Sequence, residues 1–130
     1  VSTLTNELVE GADLPITLGP YSPAVKVGDL VFVSGQAGVD PVTKQVPDGG
    51  FEAECRQAFS NLAKVLKSVD ADLDHIVKTT VLYADPALLP VINAVYTETF
   101  PVNPPARTAA IVRLAGGRQI TVDAIAVVSR

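Results

Sequence analysis

The apolar positions along this chain switch between a two-residue period and a helical one, and each switch marks an element. Val25-Lys26-Val27 and Leu30-Val31-Phe32-Val33 are β-rich runs on either side of Gly28-Asp29, which predicts a hairpin. The second run is apolar at consecutive positions, so both its faces are covered and it is central in a sheet. It stops abruptly at Ser34-Gly35-Gln36. Asp40 to Gly50, with Pro41, Pro47 and Gly49-Gly50, reads as a loop. From Phe51 to Val69 the period changes: Cys55, Phe59, Leu62, Leu66 and Val69 recur at three- and four-residue spacing and predict a helix of about five turns. Glu52, Glu54, Arg56, Lys64 and Lys67 fall off that stripe, acids early and bases late as the helix dipole favours, and predict a solvated face.

His75 to Tyr83 alternates and is rich in β-branched residues, which predicts a strand. Asp85-Pro86 opens a turn, and a second helix runs from Leu88 to Thr99 with Pro90 confined to its first turn. Arg107 to Leu114 and Gln119 to Val128 read as two strands joined by Ala115-Gly116-Gly117-Arg118. The order ββαβαββ, with a further short strand near Thr3 to Thr5, predicts an α+β fold in which two helices cover one face of a mixed sheet. The other face is rich in Val and Ile and needs a cover, for which partner subunits are the economical source.

The 130 residues form one domain, 1–130, of which 48% are hydrophobic and only 18% charged. That apolar excess points to a homo-oligomer, because no uninterrupted apolar run approaches the roughly 20 residues that span a bilayer. Val1 to Glu7 has neither the basic start nor the apolar core of a signal peptide, and a first residue other than Met fits processing. A single cysteine, Cys55, cannot form an internal disulfide, so the expected location is cytoplasmic. The formal charge of −4 argues against a nucleic-acid partner.

The chemistry concentrates at Pro104-Pro105-Ala106-Arg107-Thr108, where two prolines stiffen the approach to an arginine at the start of a strand. A guanidinium held beside apolar surface needs an anion, either a structural carboxylate or the carboxylate of a ligand. Asp123, sharing a strand face with Ile125 and Val127, must find a base, take up a proton or reach a water-filled cleft. Gly19-Pro20-Tyr21-Ser22-Pro23-Ala24 is a rigid loop that either packs Tyr21 or offers it to a ligand. Ser34-Gly35 at a strand end is either an ordinary turn or a source of a hydroxyl and an accessible N–H. His75 has no companions at metal-ligand spacing, and Cys55 lies on the apolar stripe of the first helix, so no metal is expected and the thiol belongs to the core.

In order along the chain, Gly19-Pro20-Tyr21-Ser22-Pro23-Ala24, Phe32-Val33-Ser34-Gly35-Gln36, Val77-Lys78-Thr79-Thr80-Val81, Asn93-Ala94-Val95-Tyr96, Pro105-Ala106-Arg107-Thr108 and Ala124-Ile125-Ala126-Val127 resemble the motifs of the RidA/YjgF (UK114) family of enamine and imine deaminases. The resemblance spans residues 16 to 128. It implies a chorismate-mutase-like fold assembled as a homotrimer with small-carboxylate clefts between subunits. It also implies hydrolysis of 2-aminoacrylate and related enamines and imines to 2-oxo acids and ammonia, with no cofactor or metal. Carried onto this sequence, it implies that Arg107 docks the carboxylate, Ser34, Gly35 and Asn93 help seat the ligand, and Tyr21 walls the cleft. Two departures stand out. Ala109 replaces a common cysteine, leaving its carbonyl to hold water. Asp123 stands where the deaminases carry a water-orienting glutamate, and its carboxylate is drawn back by one methylene. The alternatives are a larger substrate such as 2-aminomuconate, a non-catalytic carboxylate-binding module and, least favoured by the acidic balance, a ribonuclease.

Overall fold

In the computed structural model, which describes residues 7–9, 14, 15, 17 and 19–128, the Gly28-Asp29 turn closes the expected hairpin. Strand β2 (Ala24–Val27) runs antiparallel to β3 (Leu30–Ala37), with Val27 opposite Leu30. Gly28 adopts φ 57, a conformation that costs glycine little and other residues more. A short strand, β1 (Glu7–Val9), adds to the outer side of β2. The strand expected near Thr3 to Thr5 lies outside the described residues.

Helix α1 (Gly50–Lys67) follows the long loop and buries Cys55, Phe59, Leu62 and Leu66 as the three-four spacing requires. Val69 lies beyond its end but still packs against the core. One expectation for this helix fails. Glu54 is only 3% exposed instead of solvated, because its carboxylate turns inward and accepts the Gln119 backbone N–H at 2.7 Å. A buried carboxylate requires such a partner. Here it ties the start of the last strand to the helix. Gly38 packs equally tightly on this turn: a Cβ there would lie 2.1 Å from the Glu54 carbonyl oxygen.

Strand β4 (Ile76–Tyr83) is entered through a 3₁₀ turn at Leu73–His75, in which the Asp72 N–H donates to His75 Nδ1. After it, Asp85 caps a second 3₁₀ turn, Pro86–Leu88, and helix α2 (Leu89–Thr99) begins with Pro90 in its first turn. Strand β5 (Ala106–Ile111) ends three residues earlier than the apolar run suggests: the Val112 N–H still donates to Tyr83 O at 2.9 Å, but the paired register stops at Ile111. Strand β6 (Ile120–Val127) closes the fold.

The six strands line up as β1-β2-β3-β6-β4-β5, antiparallel except for the parallel pair β4–β5 that α2 connects. Alternation along β6 buries Ile120, Val122, Ala124 and Ala126 beneath the helices. It turns Thr121, Asp123, Ile125 and Val127 to the opposite face. On that face Leu30 and Phe32 are 38% and 42% exposed, opposite Val127 and Ile125 respectively. The sheet therefore carries one face covered by its own helices and one apolar face that the described residues leave open.

Candidate functional site

Arg107 sits on an edge strand, because among the described residues β5 pairs only with β4. It lies opposite Thr79, which in turn lies opposite Ala124, and both of these are buried on the helix-covered side. Residues opposite each other share a sheet face, so the Arg107 side chain leaves on the helix side. Helix α2 passes there and presents Asn93 and Tyr96, one turn apart. Arg107 Nη1 donates to Asn93 Oδ1 at 2.9 Å, and Cζ lies 4.9 Å from the centre of the Tyr96 ring. The Tyr96 hydroxyl shares a buried hydrogen bond of 2.7 Å with Thr79 Oγ1. Its ring is wedged against Phe59 and Phe100, with centroids 5.9 and 4.8 Å away. Burial pushes the Tyr96 phenol pKa up, opposed by the Thr79 hydrogen bond and the Arg107 charge. Among the described residues no carboxylate lies within ion-pair distance of Arg107. Among these residues the guanidinium is held by neutral groups alone, and none of them supplies a compensating acid. Ala109, two residues on and opposite Val81, is exposed beside it.

A second group forms where β3 meets β6. Val33 lies opposite Ala124 and Gln36 opposite Val122, so Ser34 and Gly35 together oppose the single residue Asp123. That two-against-one count is a β-bulge, and bulges re-aim side chains at the ends of pairing. The Ser34 N–H donates to Pro23 O at 3.0 Å and its hydroxyl to Ser22 O at 2.7 Å, which fastens the Tyr21 loop to the bulge. The Ser34 hydroxyl proton is thus committed, and its oxygen is left to accept. Gly35 is required by close approach: a Cβ there would fall 2.8 Å from Thr121 Oγ1. Tyr21, 47% exposed, lines a cavity of about 100 Å³ together with Gly35, Gln36 and Asn61. Asp123 is half-buried on the open face opposite Thr80, its carboxylate without a hydrogen-bond partner among the described residues.

The residues singled out in the sequence therefore fall into two groups. Arg107, Asn93 and Ala109 occupy the β5 edge on the helix side; Tyr21, Ser34, Gly35 and Asp123 gather around the β3 bulge. Three strand spacings, roughly 14 Å, separate β5 from β3. Within one chain Arg107 and Asp123 point to opposite faces of the sheet and do not meet. Tyr96, Thr79 and Thr121 complete these groups and escaped the sequence reading. A tyrosine three residues after Asn93 on a helix was the one available signal for the first of them. Cys55 is core, with burial pushing its thiol pKa up to about 12.

Comparison with known proteins places this geometry among relatives. A family model described as Endoribonuclease L-PSP matches residues 12–128. The 2-iminobutanoate/2-iminopropanoate deaminase of Homo sapiens is 38% identical over 128 residues, covering 98% of this chain and 93% of that protein. The chloroplastic Reactive Intermediate Deaminase A of Arabidopsis thaliana is 37% identical over 107 residues, covering 82% of this chain and 57% of that protein. The crystal structure of RidA from an Antarctic Psychrobacter superposes with a TM-score of 0.89 at 32% identity, covering 94% of this chain and 99% of that one. That of E. coli TdcF with bound serine gives 0.88 at 30% identity, covering 95% and 99%.

Proposed function

This chain belongs to the RidA/YjgF family, whose model carries the description Endoribonuclease L-PSP, and from that premise we propose that it is an imine deaminase. It hydrolyses 2-enamine and 2-imine acids of the 2-aminoacrylate type to 2-oxo acids and ammonia, without a cofactor. The observation that carries this reading is Arg107, a guanidinium fixed by Asn93 and Tyr96 with no acid among the described residues to balance it. Its charge is available to a ligand carboxylate, which a bidentate fork binds in a defined orientation. The name of the human relative and the serine bound by TdcF both favour a small amino-acid-derived ligand.

The two residue groups belong to one site if they come from neighbouring copies. The open apolar face with Leu30 and Phe32 supplies a reason for copies to associate, and the reading takes the assembly to be a homotrimer. In each cleft Arg107 of one subunit anchors the carboxylate, while Tyr21, Ser34, Gly35 and Asp123 of the next wall the pocket. An enamine first takes a proton at its terminal carbon and becomes the iminium. Water then adds to the iminium carbon, Asp123 accepting the proton that water gives up. The resulting carbinolamine passes a proton to nitrogen, the C–N bond breaks, ammonia leaves and the carbonyl forms. The iminium is already electrophilic, so the protein's part is to hold water and substrate in register.

The test couples the protein to a serine dehydratase that generates 2-aminoacrylate in place. Wild type accelerates release of pyruvate, and Arg107→Ala does not. Asp123→Asn slows turnover, and Asp123→Glu, which restores the missing methylene, speeds it. An unchanged rate in Asp123→Asn removes Asp123 from the mechanism. No acceleration by wild type, alongside saturable binding of 2-oxobutyrate, identifies a carboxylate-binding module instead. A preference for 2-aminomuconate over 2-aminoacrylate in the same assay identifies the larger-substrate enzyme.

A further inference from the structure

Arginine side chains on exposed edge strands ordinarily sample many rotamers, and fixing one costs side-chain entropy. A guanidinium that must seat a small acid has to be fixed before the acid arrives if binding is to be tight and directional. The contacts around Arg107 accomplish this with neutral groups. The Arg107 Cζ lies over the Tyr96 ring, 4.9 Å from its centre, and that ring is clamped by Phe59 and Phe100 with its hydroxyl tied to Thr79, so it is a rigid platform. Asn93 takes Nη1 from the flank. A carboxylate in place of either would compete with the ligand for the same charge, whereas a π face and an amide oxygen orient the cation and leave it unneutralised.

We infer that Tyr96 is a positioning residue for Arg107: with the ring beneath the guanidinium and Asn93 on Nη1, the Nε–Nη2 edge is the one presented to the substrate carboxylate. The inference rests on the imine-deaminase reading above, through the carboxylate that Arg107 is taken to bind. The side chain does not touch the reacting atoms. Its ring matters to binding, and its hydroxyl matters only in holding the ring.

The experiment measures KM and kcat with dehydratase-generated 2-aminoacrylate, and the affinity for 2-oxobutyrate by calorimetry, in Tyr96→Phe, Tyr96→Leu, Tyr96→Met and Asn93→Asp. Tyr96→Phe retains the platform and stays within about two-fold of wild type in KM. Tyr96→Leu removes it and raises KM and the 2-oxobutyrate Kd about ten-fold, with kcat within about two-fold, the pattern of lost uniform binding. Tyr96→Met, longer and more adaptable than leucine but likewise without a π face, gives the same result if the leucine variant does not fold. Asn93→Asp puts a competing carboxylate beside Nη1 and weakens binding further. Unchanged KM and Kd in folded Tyr96→Leu or Tyr96→Met overturns the inference, as does a Tyr96→Phe variant as impaired as those two. Binding of 2-oxobutyrate without turnover in wild type defeats the deaminase reading alone, and the Kd values still decide the role of Tyr96. Absence of both binding and turnover defeats the reading and the inference together.

Discussion

Replacing Asn61 by leucine should unclamp the loop that walls the Tyr21 cavity. Asn61 is 2% exposed on α1, and its side-chain amide donates to Ala37 O at 2.9 Å and to Val39 O at 2.8 Å, while Oδ1 accepts from Gln57 at 2.9 Å. Leucine has the same branched skeleton with two bulkier methyl groups, so Asn61→Leu removes the donors without opening a cavity. An unsatisfied buried carbonyl costs about 1–3 kcal/mol. Ala37 and Val39 are only half-buried, so some water reaches them and the two together should cost about 3 kcal/mol. At about 2.1 cal/mol/K per residue, a chain of 130 residues unfolds with an entropy of about 0.27 kcal/mol/K, and the loss converts to a fall in Tm of about 11 °C. Differential scanning calorimetry at a fixed protein concentration reads this directly, since self-association also moves Tm. A fall below about 2 °C would mean that water replaces both hydrogen bonds, and that the Asp40 to Gly50 loop is held by something other than Asn61.

Two further outcomes follow from the ionisable groups. Cys55, whose thiol pKa burial raises to about 12, should resist an aromatic disulfide reagent at pH 8 in the native protein and react as one thiol per chain on unfolding in urea; rapid native reaction would contradict its burial. Glu98, hydrogen-bonded to Arg56 at 2.7 Å, has its pKa held below the ordinary 4.5 by that bond and by the Arg56 charge. A depressed carboxylate pKa contributes stability above the unfolded value, and that contribution is lost as pH falls through the folded value. Wild type should therefore have a slightly higher urea midpoint than Glu98→Gln near neutrality. The two should converge below the folded pKa of Glu98, and a gap that persists there would contradict the linkage.

Much of the fold is legible in the sequence because periodicity reports burial directly. The stripe from Cys55 to Leu66 could bury its apolar residues only as a helix, and Gly28-Asp29 between two β-rich runs could close only a tight hairpin. Periodicity misled at Glu54, which sits off the stripe yet is buried, because its partner is a backbone N–H some 65 residues away that no local pattern reveals. The bulge at Ser34-Gly35 is equally hidden, since it is defined by register against β6. At the site, proline stiffening and a lone acid on an apolar face pointed to Arg107 and Asp123. Their separation onto opposite faces of the sheet follows from strand order, which the alternation of each strand alone does not contain. Tyr96 was silent for a related reason. A tyrosine on a helix reads as packing, and half of this one is: its ring belongs to the Phe59 and Phe100 cluster and also carries the arginine.

The most direct test of the account is whether the charge on Arg107 is what recognises the ligand. Isothermal titration of 2-oxobutyrate and of 2-oxobutanamide, which differ only in the carboxylate, into wild type and Arg107→Ala isolates that contact. Wild type should bind the acid and discriminate against the amide by at least ten-fold, consistent with a charge-assisted bidentate pair, and Arg107→Ala should bind both equally weakly. Equal affinity of wild type for acid and amide, or undiminished discrimination in Arg107→Ala, would contradict the central claim.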